Sequence, residues 1–254
     1  MTELRIGTSG WHYEHWRGAF YPPGERPSLT RYAERFDTVE INNSFYRLPS
    51  AETFTSWRDQ TPRDFLFAVK ASRFITHMKK LSDPTGGFER FFAAAAHLGP
   101  KLGPILFQLP PHWRCDVDRL NEFLKVVAPR RPRCAFEFRN ETWFCAEVQA
   151  LLTRHNAAHC VFDIARHPSP RLVSADFTYI RLHGPEAAYA GSYGDAALAE
   201  WAARIEVWLR EGLDVFCYFD NDQKAYAVGD ALRLKAIMRA SVSKPGQRPG
   251  RTAR

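Results

Sequence analysis

The stretch FTYIRLHGPEAAYAGSYGDAALAEWAARIEVWLREGLDVFCYFDND, residues 177–222, holds one complete repeat of the fold. It opens on an apolar run, FTYIRLHG (177–184), and closes on another, DVFCYFDND (214–222). Both are rich in aromatic and β-branched residues and end in polar ones, the pattern of a strand. Between them, over 195–212, Leu198, Trp201, Ala202, Ile205, Trp208 and Leu209 recur at three- and four-residue steps, with Arg204, Glu206 and Arg210 opposite. That period predicts an amphipathic helix. Strand, helix and strand in this order make a parallel crossover.

The same unit recurs upstream. Strands are predicted at 5–11, 38–46, 65–72, 103–110, 133–140 and 158–165, which brings the number to eight, and further helices at 28–36, 88–99 and 116–127. Two connections depart from the unit. WHYEHWRGAFYPPGERPS (11–28) is long, aromatic and proline-bearing, and reads as an ordered loop over the barrel mouth. RHPSPRLVSAD (166–176) is too short and proline-broken for a full helix. Eight such units in 254 residues fit the roughly 250 that a closed (β/α)8 barrel needs. An open doubly wound sheet normally carries a glycine-rich phosphate turn after its first strand, and TSGW offers a single glycine. The expected fold is therefore an α/β, (β/α)8 TIM-type barrel over 1–240, with irregular or missing helices after strands 1 and 6.

The formal charge of +7 suggests a polyanionic partner until its position is considered. Lys244, Arg248, Arg251 and Arg254 all fall in the tail SVSKPGQRPGRTAR (241–254), which has no acid and reads as disordered. Without those four, the 35 basic residues drop to 31 against 28 acidic ones, so the barrel is only mildly basic. The five cysteines are odd in number, scattered and without a CxxC pair, which argues against a disulfide scaffold or a zinc knuckle. No signal-peptide pattern opens the sequence and no apolar run reaches membrane length, so a cytoplasmic protein without a membrane partner is the expectation.

Side chains alternate inward and outward along barrel strands, and chemistry gathers where the strands end. One face of strand two carries Glu40, Asn42 and Ser44; of strand five, Glu137 and Arg139; of strand seven, Arg181 and His183; of strand eight, Tyr218 and Asp220, with Asn221 and Asp222 following. Lys70 follows Leu66 and Ala68 on strand three, Gln108 follows Leu106 on strand four, and Asp163 follows Val161 on strand six. Turned inward, these faces put four carboxylates, a lysine, two arginines and a histidine at the mouth. Charges so buried need partners or a ligand. Two readings follow. One is a salt-bridge lattice that fixes strand register, with pairs such as Glu137–Arg139 and Asp163–Arg181. The other is a site.

The segments GTSGWHYEHWRGAFYP (7–22), VEINNSFYRLPS (39–50), FAVKASRFITHMKKL (67–81), LFQLPP (106–111), EFRNETW (137–143), YIRLHG (179–184) and YFDND (218–222) occur in order along nearly the whole chain. Together they resemble the YecE-like family, domain-of-unknown-function family seventy-two. The resemblance implies a (β/α)8 barrel and brings no assigned reaction. Its fold is similar to that of divalent-metal barrels, among them sugar isomerases and an apurinic-site endonuclease, an analogy of fold alone. Where the family usually has two consecutive asparagines this sequence has Asp220 and Asn221, so no role is carried over to Asp220.

Read as a site, the ring makes the protein an enzyme, a hydrolase, lyase or isomerase, acting on a small phosphorylated, carboxylated or sugar-like anion. Glu40, Glu137, Asp163 and His183 are the candidate acids and bases. Lys70, Arg139 and Arg181 would hold the anion, and Asn42, Gln108, Tyr218, Asn221 and Trp11 would complete the ligand contacts. Glu40, Glu137, Asp163 and His183 also offer donors for a divalent metal, although the neighbouring cations and the missing multi-histidine set oppose it, and no residue is assigned as a metal ligand. Two alternatives stand beside the enzyme. In a nucleic-acid-binding or repair-associated protein, Trp11, Tyr13, Trp16, Phe20 and Tyr21 would stack bases unless they plug the barrel end. The remaining one is a non-catalytic, metabolite-binding barrel.

Overall fold

A computed structural model describes residues 2–82, 84–165 and 167–242. Its eight strands are β1 (Leu4–Thr8), β2 (Thr38–Ile41), β3 (Leu66–Lys70), β4 (Leu102–Gln108), β5 (Cys134–Glu137), β6 (Ala158–Ile164), β7 (Phe177–Gly184) and β8 (Asp214–Phe219). They form one parallel sheet in the order β1-β8-β7-β6-β5-β4-β3-β2. The helices are α1 (Leu29–Ala33), α2 (Ala51–Asp59), α3 (Glu89–Ala95), α4 (Val117–Val127), α5 (Ala146–Arg154), α6 (Asp195–Arg210) and α7 (Tyr226–Val242). The expected (β/α)8 architecture is present. Of the basic segment 241–254, the first two residues complete α7, and the remainder lies outside the described residues. Among the described residues no helix is long and apolar enough to cross a membrane.

Alternation along the strands builds two cores. Outward side chains such as Val39, Ile41, Phe67, Ile105, Phe136, Val161, Leu182 and Phe219 pack against the helices, where α6 contributes Leu198, Trp201, Ala202, Ile205 and Trp208, the face its period predicts. Inward side chains form a separate cluster: Ala68, Leu106, Ala135, Ala158, Cys160, Phe177, Tyr179, Phe216 and Tyr218. Small residues on β3, β5 and β6 leave room for the aromatics of β7 and β8, so the lumen is packed solid beneath the mouth.

The barrel closes between β1 and β2, where a bridge joins Ser9 to Glu40 and Gly10 N–H donates to Glu40 O at 2.8 Å. Gly7 permits the approach, since a Cβ there would lie 2.5 Å from Thr38 O. Below the bridge the phenol of Tyr32, from α1, takes the place of a strand partner. Its oxygen accepts from Thr8 N–H at 3.0 Å and donates to Thr38 O at 3.1 Å.

The sheet loosens a second time between β5 and β6, paired only at Ala135–Ala158 and Phe136–His159. The helix-free connection after β6 compensates. Ser174 Oγ accepts from His159 N–H and Ser169 Oγ from Phe162 N–H, satisfying donors of β6 from the side. Residues 167–176, with their prolines and serines, thus serve β6 instead of forming a helix. The long segment after β1 is irregular as expected: it holds one 3-10 turn, Glu14–Trp16, before α1.

Tyr32→Phe removes the bridge at the closing seam and strands two buried backbone groups. It is expected to lower stability by about 1–3 kcal/mol in urea unfolding; a variant as stable as the parent would show that the seam closes without it.

Candidate functional site at the barrel mouth

Arg181, on β7, is fully buried. A guanidinium without water must find its acceptors in the protein, and here three strands supply them. Nε donates to Glu40 Oε2 at 3.0 Å and Nη2 to Glu40 Oε1 at 2.7 Å, a two-pronged pair with β2. Nη1 donates to Glu137 Oε2 at 2.8 Å on β5, and Nη2 to Asp220 Oδ2 at 2.9 Å just beyond β8. Ser9 Oγ and Tyr179 Oη also donate to Glu40, at 2.6 and 2.7 Å.

Arg139 adds a second cation. Its Nε donates to Glu137 Oε1, and its Nη2 lies 2.9 Å from His183 Nε2, which Arg181 Nη1 approaches at 3.2 Å. His183 Nε2 thus faces both guanidinium groups, and its Nδ1 lies 3.0 Å from Asp220 Oδ2. Burial opposes the charge on Glu137, yet Arg139 and Arg181 hold its carboxyl well below the usual range. Burial is likewise overcome at Asp220, chiefly by Arg181 and then His183. Burial also opposes the charge on Arg181, but Glu40, Glu137 and Asp220 keep it firmly protonated.

Lys70, at the end of β3, stands apart. The residue is only 7% exposed, yet its ammonium meets solvent; among the described residues that ammonium has no hydrogen-bond or ion-pair partner, only the ring of Phe45 at 4.4 Å. Lys101 provides a direct comparison at 8% exposure: its ammonium donates to Arg58 O, Thr61 O and Thr61 Oγ1 at 2.6, 2.7 and 3.1 Å. Burial, with Arg181 nearby, pushes Lys70 down to about 8, although Glu40, Asp220 and Glu137 pull the other way.

Where β5 and β6 part, a cleft of about 570 Å³ opens, lined among others by Gln108, Arg139, Phe162 and Tyr189. The Gln108 side chain has no hydrogen-bond partner among the described residues. Arg139 lies over the ring of Phe162 at 5.0 Å. Tyr189 overhangs the cleft in a left-handed conformation (φ 64°), held by its N–H to His183 O at 2.6 Å.

The structure thus brings Glu40, Lys70, Glu137, Arg139, Arg181 and His183 to the mouth and sets Gln108 on the adjoining cleft. Several expectations need correction. Asp163 faces outward with Val161, toward Ser169, Arg171 and Trp201, because Ala158, Cys160 and Phe162 take the inward positions of β6. The Asp163–Arg181 pair therefore does not form. Arg181 is spent on carboxylates and cannot hold a ligand. Asn221 is buried on the outer side, donating to Gly191 O and Asp230 Oδ2. Tyr218 lies below the mouth, its hydroxyl 2.8 Å from Thr38 Oγ1. Trp11 packs edge-on against Trp57 at 5.2 Å. Asn42 is half-buried at the head of a 3-10 turn, because β2 ends at Ile41 and its alternation stops there.

The aromatic loop is a plug: Trp16 and Tyr21 are buried, with Trp16 Nε1 donating to Asp222 Oδ1 at 2.5 Å. These rings are not available to stack bases. Sequence reasoning missed Ser9, Tyr179 and Tyr189; the polar positions of Ser9 and Tyr179, level with the inward rows of β8 and β6, were the available signal. The donor set does not fit a metal. Both oxygens of Glu40 and of Glu137 are engaged by guanidinium groups, and among the described residues no group of three or more His, Cys, Asp or Glu is arranged to hold an ion.

Fold and site together define a (β/α)8 barrel with an ionic network buried beneath its mouth. The family described as "Protein of unknown function DUF72" matches residues 5–253, and the chain belongs to it. The chain is 26% identical to the UPF0759 protein YunF of Bacillus subtilis, over 92% of this chain and 94% of that protein. It is 36% identical to the UPF0759 protein YecE of Escherichia coli over 33% of this chain and 30% of that one. The crystal structure of a DUF72 family protein from Thermotoga maritima superposes with a TM-score of 0.81 at 25% identity, covering 93% of this chain and 99% of that one. One from Enterococcus faecalis shares the fold, with a TM-score of 0.78 at 19% identity over 94% and 98% of the two chains.

Arg181→Met leaves three buried carboxylates without their shared cation, and urea unfolding should show a loss of about 3–5 kcal/mol. Glu137 and Asp220 titrate lower folded than unfolded, so their contribution is present above the unfolded value of roughly 4 and is lost as pH falls through the lower folded values. Lys70 has the opposite consequence. Folded it releases its proton near pH 8, against an ordinary 10.5, so between these values the unfolded chain binds more protons. Stability should rise with pH across that window, and Lys70→Met should remove the rise in thermal melts.

Proposed function

We propose that the mouth binds a small anionic substrate and transforms it by proton transfer, as a lyase or isomerase would. Arg139 and Gln108 hold the anion, and Lys70 and Asp220 move the proton. The observation that carries this reading is the unequal treatment of the buried charges. Arg181 is saturated by carboxylates and the Lys101 ammonium by carbonyl and hydroxyl oxygens, whereas the Lys70 ammonium has no acceptor among the described residues and meets solvent at the mouth. A charge network built only to fix strand register has no use for a cation that none of its carboxylates pairs.

The roles follow from which atoms remain open. Glu40 and Glu137 are committed to Arg181, and His183 Nε2 to the two arginines, so these three position the site rather than meet the substrate. Asp220 Oδ1 takes no hydrogen bond from the described residues and is free to accept one. Lys70 titrates near neutrality, where proton transfer in either direction is efficient. The forked guanidinium of Arg139 suits a carboxylate or a phosphate.

Calorimetric titration with inorganic phosphate and with pyruvate tests the reading. The parent chain should bind at least one of them, and Arg139→Gln should weaken binding about tenfold or more, the loss expected for a hydrogen bond to a charged group. Equal binding by parent and variant, or none by the parent, would refute it.

A further inference from the structure

We propose that the rim of the mouth beside β2 and β3 is a binding surface for single-stranded nucleic acid, with Tyr46 stacking on a base and Arg47, Arg73, Lys79 and Lys80 meeting phosphates. The segments that follow these two strands, 42–50 and 71–82, hold four lysines and arginines, one histidine and no acid. Elsewhere the surface mixes its signs, and Arg17, Arg31, Arg58, Arg130 and Arg171 each face a carboxylate. Arg47, Arg73, Lys79 and Lys80 are exposed, and none has an ion-pair partner among the described residues. His77 registers the field they make: burial, Lys70 and Arg73 all disfavour its proton, and no carboxylate opposes them.

Phe45 gathers the two segments into one surface. The ring of His77 meets it edge-on at 5.0 Å and that of Tyr46 at 5.1 Å, while the Lys70 ammonium lies 4.4 Å from its centre. Ser44 Oγ donates to Lys70 O at 2.6 Å, which ties the turn after β2 to the end of β3. Lys79 lies over Phe74 at 5.6 Å. Lys80 and Leu81 both take the left-handed backbone conformation (φ 46° and 62°), and Leu81 is buried. Such strain persists only where the surroundings enforce it. Leu81 anchors the turn, and Lys79 and Lys80 stand outside it on a fixed backbone.

Tyr46 and Met78, at 72% and 65%, are the most exposed large apolar side chains among the described residues. An exposed ring among unpaired cations is what a single strand requires, since every base has a face to stack and every phosphate attracts a cation. In a duplex the bases already cover one another, and an acidic peptide would leave the ring idle. A membrane would need a continuous apolar helical face, whereas the helical turn Phe74–Met78 buries Ile75 and Thr76 and exposes only Met78. The inference stands apart from the small-anion reading, because neither Arg139 nor Gln108 takes part in it.

Fluorescence anisotropy on the full chain tests it, using a labelled oligothymidylate of about twelve nucleotides, within the length that one such surface covers. The parent should bind, with affinity falling as salt rises. Lys79→Gln combined with Lys80→Gln should weaken binding and make the slope of log K against log salt shallower by about 1.4, two contacts at roughly 0.7 each. Tyr46→Ala should weaken binding about tenfold, the value of one stacked base, and Tyr46→Phe should restore it. Lys125→Gln combined with Arg154→Gln removes the same charge from the last turns of α4 and α5, where both residues are exposed and without ion pairs, and should bind like the parent. An equal loss in that control, or unchanged binding by the Lys79 and Lys80 variant, would place the contact elsewhere on the chain and overturn the proposal. Equal affinity for a duplex of the same length, or a Tyr46→Ala variant as tight as the parent, would refute the stacked single strand. Failure of the parent to bind the strand would also overturn it, and binding of phosphatidylserine vesicles in its place would assign the patch to a membrane.

Discussion

A guanidinium sealed from water has to be matched by anions in fixed positions, and in this barrel that requirement falls on Arg181. Its donors reach Glu40 on β2, Glu137 on β5 and Asp220 beyond β8, so one side chain on β7 ties together strands from all around the wall. Those contacts hold only in one register. Slipping any of the strands by a single residue would turn its carboxylate out of the lumen and leave a buried charge unmatched, at a cost of several kcal/mol. The network also fixes what sits on it, since Arg139 is positioned by Glu137, and His183 by both arginines and Asp220.

A charged ring at a barrel mouth can be a structural lattice or a functional site, and here its members divide between the two. Glu40, Glu137 and Arg181 are saturated by one another and lie out of contact with solvent. Lys70, Gln108, Arg139 and the open oxygen of Asp220 are the groups with capacity left over. The first set is a floor and the second is what a ligand would meet. The parting of β5 and β6 gives Gln108 and Arg139 their space, and the serines of the connection after β6 make that parting tolerable by serving the strand's backbone.

The inward positions could be read on strands where polar residues alternate with bulky apolar ones, as with Glu137 and Arg139 between Phe136 and Phe138, or Arg181 and His183 between Ile180 and Leu182. On β6 the single carboxylate misleads, because Asp163 shares the outward face with Val161. Ala158 and Cys160 carried the better signal, because small residues also occupy the inner positions of β3 and β5, at Ala68 and Ala135. Beyond the strand ends alternation has no authority. Asn42 sits in a turn, and Asn221 braces α7 through Asp230.

Periodicity along the chain specifies the barrel, its eight strands, most of the inward faces and the charged residues near the mouth. Such periodicity is local and does not depend on tertiary partners. Barrel closure settles that Arg181 is consumed by three carboxylates, that Trp16 and Tyr21 are plug rather than platform, and that the Lys70 ammonium has no acceptor among the described residues. Such distinctions depend on which atoms from distant strands come within about 3 Å of each other, the reach of a hydrogen bond, and closure of the barrel sets that, not spacing along the chain.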